Sequence, residues 1–419
     1  MPPETVALKA QPPERMRTTR RLIQLGFLAL TLVGVFVVRG HAERWCPLGG
    51  VEAAYMYLRQ GDLTCSLGIS NFYILGGVLL LTLLVRRVFC SYACPIGTIS
   101  EWLQGGARRL GIRPLRVPYR LDRALALLKY PILGVILYFT WTVGELVFRG
   151  YDPCYALISR HGEDITHWAY VVSGGIVVAS LFLLLPFCRW LCPLAAVFTP
   201  FSRFGLTRIQ RNPDTCTDCG ACARVCPMAI PVDKLPEVTA ARCTTCFECT
   251  IACDRVTRGR NRATGSDATH RPPLVWGPLR PIGQRWARGL VVPILGLCVG
   301  GAVAASYAFP LPSLVRSWGT PPHHTATVTL RVRGATCRHS TEGLVEYLKR
   351  KDEFRIAGYI RVEAWPSPET SLIRITYDPT ATDEQAIKQA ITEPGFDPTD
   401  GRLQLSPYTI EGYRPPGED

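Results

Sequence analysis

The sequence predicts an α-helical polytopic membrane protein of about five spans, with a cysteine-rich insert between the fourth and fifth and a small α/β module after the fifth. Three observations predict it. The 419 residues are 47% hydrophobic and 19% charged, with a mean hydropathy of +0.13, a greasier balance than soluble domains show. Five apolar runs, Leu22 to Val38, Ile69 to Val85, Leu125 to Phe148, Ala169 to Phe187 and Gly289 to Phe309, each approach the roughly 20 residues that cross a hydrocarbon core. The 17 cysteines fall largely in short, regular spacings, as expected where sulfur holds something. Five buried helices of one soluble core would be the alternative, and such a core departs from the usual makeup of globular domains.

The N-terminal arm, residues 1–21, carries Lys9, Arg15, Arg17, Arg20 and Arg21. The first run exceeds the roughly 7 to 15 apolar residues of a secretory signal. It is therefore expected as an uncleaved anchor, although Gly40-His41-Ala42 follows. The second run is the shortest, and Lys129, Pro131 and Glu145 interrupt the third. After run two come Arg86, Arg87, Arg108, Arg109, Arg113, Arg116, Arg120 and Arg123. The segments after runs one and three have only Arg44, Arg59, Arg149 and Arg160, balanced by Glu52, Asp62, Asp152, Glu163 and Asp164. Lys and Arg are retained in the cytoplasm. The N-terminus and the segments between runs two and three and between runs four and five are accordingly expected there, and the C-terminal part outside. The net charge of +14 mostly reflects this asymmetry; no basic stripe interleaved with aromatics marks a nucleic-acid surface.

The chain also repeats itself. "VVRGHAERWCPLGG" precedes run two and "LVFRGYDPCYALIS" precedes run four. Each has Arg-Gly, then a cysteine (Cys46, Cys154), then a span, then Phe-Cys-x-x-x-Cys-Pro, with Cys90, Cys94 and Pro95 in one copy and Cys188, Cys192 and Pro193 in the other. Residues 22–200 therefore read as two duplicated membrane hairpins. Helical residues i and i+4 share a face, and a residue before proline is pushed out of helical geometry. Cys90, Cys94, Cys188 and Cys192 are thus a candidate site for an additional cluster or metal at the cytoplasmic membrane edge, against the alternative of packing cysteines at two helix ends.

Residues 201–286 hold the densest chemistry: "CTDCGACARVCP" supplies Cys216, Cys219, Cys222 and Cys226, and "CTTCFECTIACD" supplies Cys243, Cys246, Cys249 and Cys253. Both match the C-x2-C-x2-C-x3-C run of two-cluster bacterial ferredoxins, in which the fourth cysteine of each run ligates the other cluster. One 4Fe-4S cluster is therefore expected on Cys216, Cys219, Cys222 and Cys253, and a second on Cys243, Cys246, Cys249 and Cys226. Gly220 suits close approach of backbone to a cluster. Asp254 stands where the first run has Pro227. C-x2-C pairs also build zinc ribbons, but two equal four-cysteine runs favour iron and sulfur. Reduced thiolates need a reducing compartment, in agreement with the cytoplasmic side deduced from Arg and Lys.

In this order, with Cys90-x-x-x-Cys94-Pro95, Cys188-x-x-x-Cys192-Pro193 and the two four-cysteine runs set among apolar spans, the chain resembles the NosR/NapH group of membrane polyferredoxins, which includes the CcoG-type proteins. The resemblance covers roughly residues 20 to 310. It implies a multi-pass protein of the bacterial inner (cytoplasmic) membrane that transfers electrons, exchanging them with quinol or a soluble donor to support a periplasmic respiratory or metal-containing enzyme. No flavin-binding domain is expected ahead of run one, and no histidine lies within a run for paired-histidine haem. His41 and His167 read as interfacial polar residues.

The fifth span, 287–309, is followed by a proline-stiffened linker, 310–325. Residues 326–400 alternate and cap as a βαββα module, followed by Gly395-Phe396-Asp397, with a tail at 401–419. The module resembles a heavy-metal-associated domain of the copper-chaperone type, with the ferredoxin-like βαββαβ fold. That family binds metal through Met-x-Cys-x-x-Cys, whereas this chain reads Ala335-Thr336-Cys337-Arg338-His339-Ser340, lacking one thiol and the methionine. Cys337 with His339, or with His323 and His324, is a weak candidate metal site; a docking module without metal is the other reading. Outside the membrane, Cys46 and Cys65 are a disulfide candidate or a redox-active dithiol, with Cys154 on the same side. Cys298 sits mid-span as a packing residue.

Two function classes follow. One is a redox relay between a cytoplasmic donor or the quinone pool and a periplasmic partner that docks on the C-terminal module. The other is a metal-cofactor assembly or copper-reducing factor whose C-terminal module handles the metal.

Overall fold

The computed structural model describes residues 13–37, 45–60, 70–115, 117–143, 166–264, 272–279, 285–336, 338–349, 356–367, 369–396 and 403–414. The chain forms two compact units, Met1–Leu48 with Tyr73–Ala304, and Gly49–Phe72 with Ala305–Asp419. Its first helices are α1 (Pro13–Phe36), α2 (Pro47–Gln60), α3 (Ser70–Val85), a single turn α4 (Phe89–Tyr92), α5 (Pro95–Arg109), α6 (Tyr119–Leu125), α7 (Lys129–Val143), α8 (His167–Phe182) and α9 (Pro193–Arg203). The insert follows with β1 (Thr207–Arg211), α10 (Ala221–Arg224), α11 (Glu248–Thr264) and β2 (Leu274–Pro278), and α12 (Val291–Ala308) runs next.

Three helical stretches are long and apolar enough to cross a membrane: Met16–Phe36, Tyr119–Thr142 and Arg288–Ala308. Ser70–Val85 and His167–Phe182 are apolar but shorter. At 16 residues each, they rise about 24 Å, below a core of about 30 Å. The second expected run ends at Val85 as expected, whereas the fourth stops at Phe182, five residues short of Phe187, for a backbone reason. Arg86 turns left-handed at φ 64° right after α3. Leu183 is extended after α8, Leu185 is left-handed at φ 47°, and Pro186 follows. Leu22, Leu30, Phe36, Val135, Tyr138, Trp168, Val171 and Leu297 are all exposed along these helices, as lipid-facing side chains are.

Close packing sets the first unit. A β-carbon at Gly77 of α3 would lie 2.6 Å from the Cys298 carbonyl oxygen and 2.7 Å from Ala302 Cβ, so α3 and α12 meet through small residues. Cys298, buried there, packs as its mid-span position suggests. α5 is amphipathic; its buried side includes Ile96, Thr98, Ser100 and Gln104, and Ser100 Oγ lies 2.7 Å from Ser180 Oγ of α8. The insert stands on an antiparallel pair, β1 with β2, in the register Thr207↔Pro278 to Arg211↔Leu274.

In the second unit the strands are β3 (Leu314–Trp318), β4 (Ala326–Arg333), β5 (Ile360–Trp365), β6 (Ser371–Tyr377) and β9 (Thr409–Ile410), hydrogen-bonded in the order β3-β5-β6-β4-β9. β7 (Gly395–Phe396) pairs with β8 (Leu403–Gln404). Helices α13 (Arg338–Leu348) and α14 (Glu384–Thr392) complete the unit. Inward residues alternate along the strands, as half-buried sheets require; Val328, Leu330, Val362, Ile373 and Ile375 join Leu344, Leu348, Ile387 and Ile391 in the core.

Two boundaries differ from expectation. Residues 314–318, expected within the linker, form an edge strand because Leu314 is fully buried against β5. Residues 403–410, expected in the tail, return to the sheets: β9 pairs with β4, and Tyr408 packs edge-on against Tyr347. α14 is capped by Asp383, whose carboxylate accepts from the Ala386 N–H at 2.6 Å. α13 begins at Arg338.

Candidate metal centres

The eight insert cysteines divide by geometry across the two runs. One small pocket is lined by Cys226, Cys243, Cys246 and Cys249. A second is lined by Cys216, Cys219, Cys222 and Cys253. Each cavity thus takes three cysteines from one run and the last from the other.

Backbone conformation explains how the loops wrap them. The residue two past the first cysteine is left-handed in both runs, Asp218 at φ 48° and Thr245 at φ 49°. The residue after the second cysteine is left-handed too, Gly220 at φ 64° and Phe247 at φ 61°. Glycine adopts this freely; Phe247 is held there by full burial and an edge-on contact with Trp276, centroids 5.5 Å apart. The Ile230 N–H points to Cys226 Sγ at 3.5 Å, and Arg211 Nη1 lies 3.7 Å from Cys216 Sγ. Asp254, the departure from the proline pattern, pairs with Arg288 at 2.8 Å.

Burial pushes the Cys226 thiol up to about 11 and Cys246 and Cys253 up to about 12, and it raises Cys222 and Cys249 as well. Such thiols hold their protons at neutral pH until something softer than a proton replaces them. Among the described residues no three His, Cys, Asp or Glu side chains converge tightly enough for a single metal ion. Thiols ringing a cavity match a cluster of several irons, whose bulk keeps its ligands apart.

The two C-x3-C-P motifs close in the same way. Each closes a wide turn in which the second cysteine N–H bonds five residues back: Cys94 to the Phe89 carbonyl at 3.1 Å, and Cys192 to the Phe187 carbonyl at 2.9 Å. The second turn is π-helical over Phe187–Leu191, a widening that favours functional sites. Cys94 and Cys192 are then extended, at ψ 119° and 115°, with the following proline opening α5 and α9. Both cysteines therefore cap helix N-termini, where the helix dipole favours a thiolate. Gly97 is needed here, since a β-carbon would lie 2.6 Å from the Cys90 carbonyl oxygen.

The four cysteines lie within electrostatic reach of one another. Cys94 feels Cys90 and Cys192, and Cys188 feels Cys94, Cys192 and Cys90. Burial raises both Cys94 and Cys188. α7 packs against the second turn and α9. Asp122, fully buried on α6, accepts from Trp190 Nε1 at 2.9 Å and Arg242 Nη1 at 2.5 Å, and pairs with Arg189. One carboxylate thus ties the second cysteine turn to the insert.

The first turn is tied to the insert directly. Ser91 Oγ, beside Cys90, donates to the Thr244 carbonyl at 2.7 Å, and Thr245 Oγ1 donates to the Val85 carbonyl at 2.9 Å. Thr244 and Thr245 lie between Cys243 and Cys246. Arg20 of α1, buried, bridges Glu101 of α5 and Glu248 of α11 at 2.5 and 2.8 Å. Sequence reasoning missed Asp122, Gly97, Arg87 and Lys129 as site residues. The signals were present as an Arg-Arg doublet ahead of Cys90 and a lysine in an apolar run, both read only as topology.

The remaining expected residues are less placed. Cys46 is half-buried ahead of α2, while Cys65, Cys154, Cys337 and His41 lie outside the described residues, as does the His339 side chain. His167, His323 and His324 are exposed.

The 4Fe-4S binding domain family matches residues 67–113 and again 165–212, once over each C-x3-C-P copy. The 4Fe-4S dicluster domain family matches residues 208–254. The chain is 32% identical to YccM of Escherichia coli over 228 residues, 52% of this chain and 63% of that protein. It is 31% identical to the regulatory protein NosR of Pseudomonas aeruginosa over 170 residues, 39% of this chain and 23% of NosR. It is 26% identical to the ferredoxin-type protein NapH of Escherichia coli over 263 residues, 57% of this chain and 86% of NapH. The chain thus spans less than two thirds of YccM and of NosR. No solved structure matches.

Proposed function

The chain belongs to the membrane-type 4Fe-4S ferredoxin proteins that include NosR and NapH, and from that premise we propose that it is a membrane-bound relay with three stations for single electrons. Two stations are the ferredoxin sets, Cys216, Cys219, Cys222 and Cys253, and Cys243, Cys246, Cys249 and Cys226. The third is Cys90, Cys94, Cys188 and Cys192. Bound there, iron–sulfur clusters supply one-electron acceptors with little rearrangement. The observation that carries the reading is the pair of hydrogen bonds from Ser91 to Thr244 and from Thr245 to Val85, which joins the ligand loop of one ferredoxin set to the turn bearing Cys90. A soluble electron carrier that worked alone would not need that loop fastened to a membrane helix end.

The residues divide the labour. Cys219 is exposed and presents the first set to a cytoplasmic donor, whereas Cys243, Cys246 and Cys249 are buried and insulated from water. A cavity of about 670 Å³ beside Val225 and Pro227, with Leu22, Leu25 and Trp102 on its walls and Arg17, Arg108 and Arg109 among its cations, suits a quinone as the alternative exchange partner. The arginine distribution supports a cytoplasmic insert and a periplasmic C-terminal module in a bacterial inner membrane. The module is read as a βαββαβ docking domain for a periplasmic redox or metalloenzyme partner.

Iron and acid-labile sulfide in the purified full-length protein test the proposal. Three cubanes predict about twelve irons per chain and two predict about eight. Replacing Cys94 and Cys192 together by alanine is expected to remove about four. Equal iron in parent and variant ends the third station, and fewer than about eight irons in the parent ends the ferredoxin pair.

A further inference from the structure

The two cysteine turns differ in what precedes them. Aligned on their cysteines, Arg86 and Arg87 of the first copy correspond to Leu184 and Leu185 of the second. Arg86 reaches into the insert, donating to the carbonyls of Thr207 and Ala240 at 3.1 and 2.8 Å. Arg87 stays behind. It is 1% exposed, and its Nε and Nη2 are buried with no hydrogen-bond partner among the described residues. Its charge acts on Cys188. Lys129, at the start of α7, is 6% exposed, and the strongest charges acting on it are Arg87, Cys192, Arg242 and Cys90. Two buried cations therefore stand at the cysteine turns: Arg87, whose carbonyl accepts from the Cys90 N–H at 3.1 Å, and Lys129, at the start of the helix that packs on the second turn.

A buried cation without a counter-charge is strongly unfavourable, and two side by side are more so. A neutral thiol carries no charge to set against them. Asp122 does not balance them either, being shared between Arg189 and Arg242. A cubane on four thiolates does, with about two negative charges oxidised and about three reduced.

The ferredoxin sets are surrounded differently. At the first, Arg211 is matched by Asp218, while Asp233 and Asp254 act on Cys222 and Cys253. At the second, Arg20 is matched by Glu101 and Glu248, and Arg86 faces Cys243. Local charge therefore climbs from the Cys216 set through the Cys243 set to the membrane edge. Positive charge beside a cluster favours its reduced, more negative form and raises its potential.

Resting on the relay proposed above, we infer that Arg87 and Lys129 are the built-in counter-charge of an anionic four-iron cluster on Cys90, Cys94, Cys188 and Cys192, and make it the highest in potential of the three. Each transfer moves one electron, oxidising one cubane as the next is reduced, and no bond or proton moves. Electrons supplied by a low-potential one-electron reductant then run from the Cys216 set toward the membrane.

Redox titration of the full-length protein with dithionite, followed by EPR, reads this directly. The signal lost in the Cys94→Ala/Cys192→Ala variant identifies the membrane-edge cluster, and in the parent protein it is expected to be the first reduced. Arg87→Gln and Lys129→Gln are each expected to shift its reduction equilibrium by at least tenfold toward oxidised, about 59 mV for one electron, with the other signals unmoved. Arg86→Gln is expected to move the Cys243 signal instead. If Arg87→Gln loses the cluster, Arg87→Lys restores it when charge is what matters, and fails to restore it when the role is only structural. A third signal reduced last, or one unmoved in both Gln variants, overturns the inference while leaving the relay intact. Unchanged iron in the cysteine variant overturns the relay itself.

Discussion

Phe247 is left-handed, fully buried and edge-on to Trp276, and two opposing effects meet on it. Relief of a left-handed non-glycine residue is worth about 1–2 kcal/mol, whereas emptying a buried phenylalanine site costs about 3–5 kcal/mol. Packing wins, so Phe247→Gly is expected to lose about 2–3 kcal/mol, measured as a lower unfolding midpoint in detergent. The cysteines respond to pH in a defined direction. In cluster-free protein Cys226, Cys246 and Cys253 are raised by burial from 9.0 to about 11, 12 and 12. A raised folded value means the unfolded chain ionises first. Stability is therefore whole below pH 9 and is lost as pH climbs through about 11 to 12, which thermal melts of cluster-free protein between pH 8 and 12 would record. Cluster loading releases these protons and is expected to become easier from pH 7 toward pH 9.

Asp122 shows what one side chain does for the elements around it: from α6 it holds Arg189 of the second cysteine turn and Arg242, the residue before Cys243. Removing a partner from a buried pair costs about 3–5 kcal/mol because the remaining charge is left uncompensated. Asp122→Ala leaves two such charges, and both a fall of that size in stability and a loss of iron are expected. α5 depends on Gly97 for its approach to the first turn. Gly97→Val is expected to push the helix off the Cys90 carbonyl and lower iron by about four atoms per chain, with the ferredoxin EPR signals retained. The second copy has Ala195 at this place, buried beside its π-helical turn. The two halves have thus diverged in turn geometry while keeping the extended cysteine before proline.

At the scale of the molecule, the proposed topology puts both cysteine turns and the insert on the cytoplasmic face and residues beyond Ala308 on the other. Single cysteines introduced at Ser266 and at Glu369 of the full-length protein are expected to label from opposite sides of sealed vesicles with a membrane-impermeant maleimide. Labelling of both from one side would reverse the assignment of the periplasmic module. Much of this level was legible: apolar runs identify membrane helices because lipid leaves no other way to satisfy a backbone. The end of α8 was less so, since extended Leu183 and left-handed Leu185 stop it short of Phe187, and composition does not report a dihedral angle. The edge strand at 314–318 was hidden for a related reason: the prolines flanking it, Pro310, Pro312, Pro321 and Pro322, read as linker, while Leu314 is buried against β5, some fifty residues on.

The sequence by itself determined the ferredoxin-type runs and the duplicated C-x3-C-P motif, because ligand spacing on a short loop is a local property of the chain. Only the tertiary structure decided that four cysteines from two distant turns lie within electrostatic reach of one another, that Ser91 and Thr245 fasten the first turn to the insert, and that Arg87 is buried with Nε and Nη2 unpartnered among the described residues. The physical reason is that charge balance in a buried site depends on which groups are brought near, and an arginine in a basic loop looks the same in sequence whether it faces water or a ring of thiols.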